Sequence, residues 1–173
     1  TVWAASSSDA FAGGDNGTML RWNGSSWSSM AFPGSGNVYA LWGTAANNVY
    51  ATTSAGQVLR FNGSSWSVVT TAAQALWAVH GSSANDVFAT GENGTALRFN
   101  GTSWSPVSAP TTGTLAGVFA TGSGALAVGA SAAGSSGLAF GFSGSWSAQS
   151  PGTAAVLTSV WGPSSTDVYA TGA

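Results

Sequence analysis

The chain has 173 residues, enough for one domain with a real core, yet only 5 % of them are charged, against about 25 % in a typical soluble domain. Three basic residues and a net charge of −2 leave no basic footprint to displace counterions from nucleic acid or to hold an anionic membrane surface. Zero Cys excludes a disulfide framework and thiol chemistry, and no apolar run approaches the ~18 residues that a membrane-spanning helix needs.

Low charge here does not mean disorder, because aromatics reach 12 % with nine Trp, and 25 Gly accompany them. That combination predicts many tight turns between short, well-packed strands. No charged-then-apolar leader and no Met open the chain, which fits a removed signal peptide or an excised segment.

In chain order the sequence repeats itself. VWAASSSDAFAGGDNGTMLRWNGSSWSSMAF opens it. LWGTAANNVYATTSAGQVLRFNGSSWSVVTTAAQ (41–74) and VHGSSANDVFATGENGTALRFNGTSWSPVSAPTTGT (79–114) follow. A worn copy carries FGFSGSW at 140–146, and VWGPSSTDVYATGA closes the chain. The first anchor is Trp3, Trp42, His80, Phe119 and Trp161, at steps of 39, 38, 39 and 42 residues. The second anchor is Trp27, Trp66, Trp104 and Trp146. The units are approximately 1–36, 37–74, 75–113 and 114–155, with a remainder at 156–173.

Each unit holds four strand-like runs. In the second unit, the first run ends at Trp42, the next two are NVYATT (48–53) and QVLRFN (57–62), and the last starts at Trp66. Val58, Arg60 and Asn62 alternate with Leu59 and Phe61, which is the period of a strand. Asn-Gly between the third and fourth runs predicts a type I′ hairpin, and DNG (15–17) and ENG (92–94) mark the preceding turn in the same way. The five Pro are expected between strands or at their ends. Four antiparallel strands in ~40 residues, in tandem, predict an all-β fold: a β-propeller of four-stranded blades, four full blades plus half a blade. A blade exposes two apolar faces, and stacking on neighbours covers both. Sixteen of the twenty aromatics fall on four repeat positions, the expected inter-blade core. The half-blade leaves an open edge. It belongs to a larger ring, is closed by another copy, or clasps the first blade.

The phrase VWGPSSTDVYATG (160–172), with G-T-x-L-R-F-N-G-S-S-W in other units, resembles a repeat of large secreted or lipid-anchored bacterial propellers, myxobacterial ones especially. More loosely the chain resembles propeller lectins, which implies sugar pockets between blades. Asp-box sialidase spacing and WD40 signatures are absent.

Charges fall on repeat positions: Arg21, Arg60 and Arg98 on one, Asp9, Asp86 and Asp167 on another, Asp15 and Glu92 on a third. They read either as structural charges clamping neighbouring blades, suited to the planar guanidinium, or as one ligand site per blade gap. The fourth unit has Gly141 and Gly124 at the two clamp positions, so both members are lost together. Trp27, Trp66, Trp104 and Trp146 read as blade packing or as sugar-stacking platforms, with Asn23, Asn62 and Asn100 as the polar partners in the second case. Tyr39 and Trp77 share a position that is Ala116 and Thr158 elsewhere, which makes them binding candidates. His80, alone at a Trp position, reads as a hydrogen-bonded structural residue. Five NG[ST] sequons double as turn signals, and DNG lacks the carboxylate cluster of a calcium loop.

No nucleophile stands beside an orienting acid, so no catalytic residue, metal or cofactor is expected. The expected function is a non-enzymatic, secreted or cell-surface module binding a glycan or a surface protein. The alternative is a structural module that self-assembles through its half-blade edge into a homo-oligomer, or completes the remainder of a larger propeller. Nucleic acid and membrane insertion are not expected.

Overall fold

The computed structural model describes residues 1–173 and is all-β. Eighteen strands form five antiparallel sheets. The first contains β1 (Val2–Ser6), β2 (Asp9–Gly13), β3 (Met19–Trp22) and β4 (Trp27–Ser29); the second β5 (Val38–Ala45), β6 (Asn48–Thr53), β7 (Gln57–Phe61) and β8 (Trp66–Thr71). The third contains β9 (Leu76–Ser83), β10 (Asp86–Gly91), β11 (Ala96–Phe99) and β12 (Trp104–Pro106). The fourth contains β13 (Thr114–Ala120), β14 (Ala125–Ala130), β15 (Gly137–Phe142) and β16 (Trp146–Gln149). Only β17 (Leu157–Ser164) and β18 (Asp167–Gly172) make up the fifth. Every sheet is a meander in sequence order.

The chain divides into two compact units, Thr1–Val79 and His80–Ala173, and the division falls within β9. In the first unit, the core joins Phe11 and Met19 of the first sheet to Val49, Leu59, Phe61 and Trp66 of the second. Phe11 lies 5.3 Å from Phe61 and meets Trp66 edge-on at 6.1 Å. The second unit repeats the triad: Phe88 is 5.1 Å from Phe142 and meets Trp146 edge-on at 6.1 Å. Burying each such ring contributes about 2–3 kcal/mol. The alternation in β7 is used on both faces, since Val58 and Leu59 are each fully buried, and all six residues of β6 are buried. A strand covered on both faces needs neighbours on both sides, which explains apolar residues at successive positions.

Several sequence expectations are corrected. β5 runs on to Ala45, past Trp42. Pro163 lies inside β17 and not at its end, at a register irregularity between Trp161 and Ser164 where the ladder does not need its missing N–H. The NGSS turns are not type I′. Asn16 and Asn93 are the only non-Gly residues with positive φ, so Asn23, Asn62 and Asn100 hold ordinary backbone, and only the glycine after each is left-handed. Type I′ geometry belongs instead to DNG and ENG, where Asn16 and Gly17 have φ of 53° and 69° and Asn93 and Gly94 have 52° and 64°.

The aromatic core expectation also splits. Phe11, Tyr50, Phe88, Phe61, Trp66, Phe119, Phe142 and Trp146 are buried, but Trp27, Trp161 and Tyr169 are exposed. Trp161 pairs with Tyr169 across β17 and β18 as Trp3 pairs with Phe11 and Trp42 with Tyr50. Phe11 and Tyr50 are at most 1 % exposed, whereas Tyr169 is 61 % exposed. The pairing matches that of the earlier blades, but both rings are exposed, Trp161 at 60 % and Tyr169 at 61 %.

Candidate functional site

The arginines sit one residue before the end of the third strand in the first three blades. Arg21 donates from Nε and a terminal nitrogen to the two oxygens of Asp9, both at 2.9 Å. Arg98 Nε donates to Asp86 at 2.9 Å, and Asp86 also accepts from the Ser82 hydroxyl at 2.7 Å. Each ion pair therefore closes within one sheet, between the second and third strands, and not across a gap between blades as the sequence suggested. The guanidinium face does reach the next blade: Arg21 lies over Phe11 and Phe61 at 5.3 and 5.5 Å, and Arg98 over Phe88 and Phe142 at 5.2 and 5.5 Å. The cation thus bridges two blades through rings while its counterion stays at home.

Arg60 uses a neutral partner. Its Nε donates to Asn48 Oδ1 at 2.7 Å, the Asn48 amide donates to Thr44 Oγ1 at 2.9 Å, and the guanidinium lies 5.9 Å from the Tyr50 ring. Sequence reasoning missed Asn48 because it looked for acids. The signal was the position itself, two residues before Tyr50 as Asp9 is before Phe11. Asp167 is exposed, and its two-stranded sheet has no third strand to carry an arginine. The hydrogen bonds from Arg21 hold the Asp9 carboxyl below the usual carboxylate range, and the same contact raises Arg21.

Where the fourth blade has Gly124 and Gly141, the Gln149 side chain lies against Gly141. A cleft of about 260 Å³ opens there, lined by Ser123, Leu126, Phe142, Ser147 and Ser165 among others. The corresponding place on the first blade, about 280 Å³, holds Asp9, Arg21, Trp22 and Asn23.

The asparagines proposed as glycan partners are committed to their own turns. Asn23 Oδ1 accepts from the backbone N–H groups of Ser25 and Ser26 at 3.0 and 2.9 Å. Asn62 does the same for Ser64 and Ser65, and Asn100 for Thr102 and Ser103. These are Asx turns, which close the loop by replacing backbone acceptors. Trp66 and Trp146 are 4 % and 6 % exposed and offer no ring face, and Trp104 is partly buried. Only Trp27, 45 % exposed and 5.6 Å from Trp22, has open ring surface.

Tyr39 and Trp77 come together. Their rings stack at 4.5 Å with 19° between planes, and Trp77 remains 39 % exposed. Tyr39 is the unpaired residue of a β-bulge, since the register steps from Val38–Thr53 to Ala40–Thr52. The same bulge recurs at Ala116 and Thr158. A bulge re-aims the side chain it frees, and Trp77 holds the equivalent repeat position; of these four residues only Tyr39 and Trp77 carry a ring.

His80 accepts the Ala120 backbone N–H on Nδ1 at 3.1 Å and lies 4.9 Å from the Phe119 ring. Burial pushes its pKa down from 6.5 to about 4. No group of three or more His, Cys, Asp or Glu side chains is placed to hold a metal ion, and no helix is long and apolar enough to cross a membrane.

No protein-family model matches the chain, and no curated protein matches it in sequence. Solved structures do match. YCF48 bound to a D1 peptide is 13 % identical with a TM-score of 0.70, over 99 % of this chain and 59 % of that one. The β-propeller domain of Cps50 (Swd1) from Myceliophteria thermophila is 10 % identical with a TM-score of 0.78, over 98 % and 61 %. The C-terminal WD40 domain of Sif2 is 9 % identical with a TM-score of 0.70, over 92 % and 50 %. The chain thus spans less than two thirds of each of these structures. At such identities the likeness speaks to fold alone, and with the sheets above it makes this a β-propeller chain of four four-stranded blades and a two-stranded fifth.

Proposed function

We propose that the protein is a non-enzymatic β-propeller module that binds carbohydrate outside the cell or at its surface. The observation that carries this reading is the Tyr39–Trp77 stack. Two amphipathic rings stack at 4.5 Å, Trp77 keeps 39 % of its surface exposed, and Tyr39 stands on a β-bulge. Trp66, Trp146 and the three Asn of the NGSS phrase drop out as the main contacts, because their ring faces and amide oxygens are spent on packing and turns, and Trp27 is left as a secondary candidate with open ring surface. The low charge suits a neutral, hydroxyl-rich ligand. A glycan array with the wild-type protein and Trp77→Ala tests it. At least one neutral glycan should bind, with Trp77→Ala weaker by about tenfold and Trp77→Phe nearly unchanged. Absence of any glycan ligand, or equal binding by Trp77→Ala, refutes the reading.

A second reading has its own support. Trp161 and Tyr169 are 60 % and 61 % exposed beside an unpaired edge, β18. That surface fits a structural role in which further strands of the same repeat type complete the blade. Concentration-dependent mass measurements should show self-association that Trp161→Ser/Tyr169→Ser abolishes. A monomer at every concentration removes this reading without touching the first.

A further inference from the structure

β18 reads Asp-Val-Tyr-Ala-Thr-Gly and differs from β10, Asp-Val-Phe-Ala-Thr-Gly, at one position only. β10 has β11 beside it, in the register Val87–Phe99, Phe88–Arg98, Ala89–Leu97 and Thr90–Ala96. β18 has β17 on one side and no strand on the other. Its pairing to β17 repeats the first blade: Asp167 stands opposite Ser164 and Tyr169 opposite Trp161, as Asp9 stands opposite Ser6 and Phe11 opposite Trp3. The same residues in the same register present the same edge to whatever lies on the free side.

In the first three blades the second strand does two things for the arginine beside it. Its first residue accepts the guanidinium N–H: Asp9 from Arg21 at 2.9 Å, Asn48 from Arg60 at 2.7 Å and Asp86 from Arg98 at 2.9 Å. Its third residue supplies a ring to the cation: Phe11 at 5.3 Å, Tyr50 at 5.9 Å and Phe88 at 5.2 Å. β18 offers both groups, Asp167 and Tyr169, on one face of the strand, and both are exposed. An apolar strand laid on this edge would cover the Asp167 carboxylate without a partner, and an acidic one would meet it at like charge. A guanidinium answers the carboxylate with its fork of N–H donors and the ring with its flat face, which a lysine ammonium cannot do at once.

Resting on the second reading above, we propose that the free edge of β18 docks an extended, arginine-bearing segment of the repeat's third-strand type, held by a backbone ladder and by a guanidinium set between Asp167 and the Tyr169 ring. The arginine lies opposite Tyr169, with an aromatic residue after it opposite Val168 and a leucine before it opposite Ala170, as Phe99 and Leu97 lie opposite Val87 and Ala89. The full chain is titrated with a fluorescein-labelled synthetic peptide of residues 95–106, TALRFNGTSWSP, and with the same peptide carrying Arg98→Met, and fluorescence anisotropy is read. Both peptides should bind, the arginine peptide about tenfold more tightly. Asp167→Ala in the protein should erase that difference by weakening the arginine peptide alone, its unchanged binding of the methionine peptide serving as the folding control. Tyr169→Phe, which keeps the ring, should preserve the difference. Equal binding of the two peptides by the wild-type chain, or an undiminished difference in Asp167→Ala, overturns the arginine site and leaves the second reading standing. Binding of neither peptide also overturns it, and the mass measurement then decides the second reading by itself. Self-association that Asp167→Ala does not change, with no peptide taken up, puts a second copy on this edge and has the same result.

Discussion

Acidification should destabilise this protein through one residue. His80 is the only histidine, and there is no cysteine, so between about pH 7 and about pH 5 the side chains offer almost nothing else that titrates. The ring is largely shielded from water, and burial lowers its pKa to about 4 against 6.5 in the unfolded chain; its Nδ1 accepts the Ala120 N–H. Well above pH 6.5 both states carry a neutral imidazole, and the contribution to stability is full. As pH falls from there, the unfolded chain takes up a proton that the native ring refuses, so stability falls. Below about 4 the native ring is protonated too, and the loss levels off. The two pKa values give a loss of about 2 kcal/mol by about pH 5. Because the ring keeps some solvent contact, screening reduces this to about 1–2 kcal/mol. Urea unfolding at constant m-value should show the midpoint falling accordingly. His80→Phe, which copies Phe119 at the same repeat position, should flatten the dependence. It should also lower stability by about 1–3 kcal/mol at every pH, because the Ala120 N–H loses its acceptor. A midpoint that does not move between about pH 7 and about pH 5, or one that moves equally in His80→Phe, refutes the reasoning.

The remaining predictions concern stability and can be read by the same unfolding assay. Arg98→Met keeps the apolar stem but removes the Asp86 pair and the cation over Phe88 and Phe142, and should cost about 1–2 kcal/mol. Asn62→Ala removes the acceptor of the Ser64 and Ser65 N–H groups and should cost about 1 kcal/mol. Gly94→Ala should cost more, about 2–3 kcal/mol, because φ is 64° and the new methyl meets the carbonyls of Thr111 and Ala109.

The blades were legible because each repeat carries strand alternation, turn residues and ring positions together, so that three signals agree on the same four runs. Turn type was less legible. Asn-Gly is compatible with a type I′ turn, but after Asn62 two serines offer their N–H groups to its side chain, and the Asx turn wins. The direction of the charge clamp could not be read either. Asp9 and Arg21 lie on runs expected to be neighbours in one blade, but repeat position does not say whether the guanidinium reaches its own blade's acid or the next blade, and only the side-chain contacts do. The Tyr39–Trp77 contact was half legible: shared position was visible, whereas the bulge that frees Tyr39 has no sequence marker.

Arg21 and Arg98 are each neutralised by an acid of their own blade and ask of the adjoining one only an aromatic ring. A segment built this way can be duplicated or deleted without stranding an unmatched ion in a poorly hydrated seam. The fourth blade, with glycine at both positions, shows that a blade of this chain forms without the pair. Copy number in such a chain is therefore free to drift by whole repeats, limited by ring stacking and not by electrostatics.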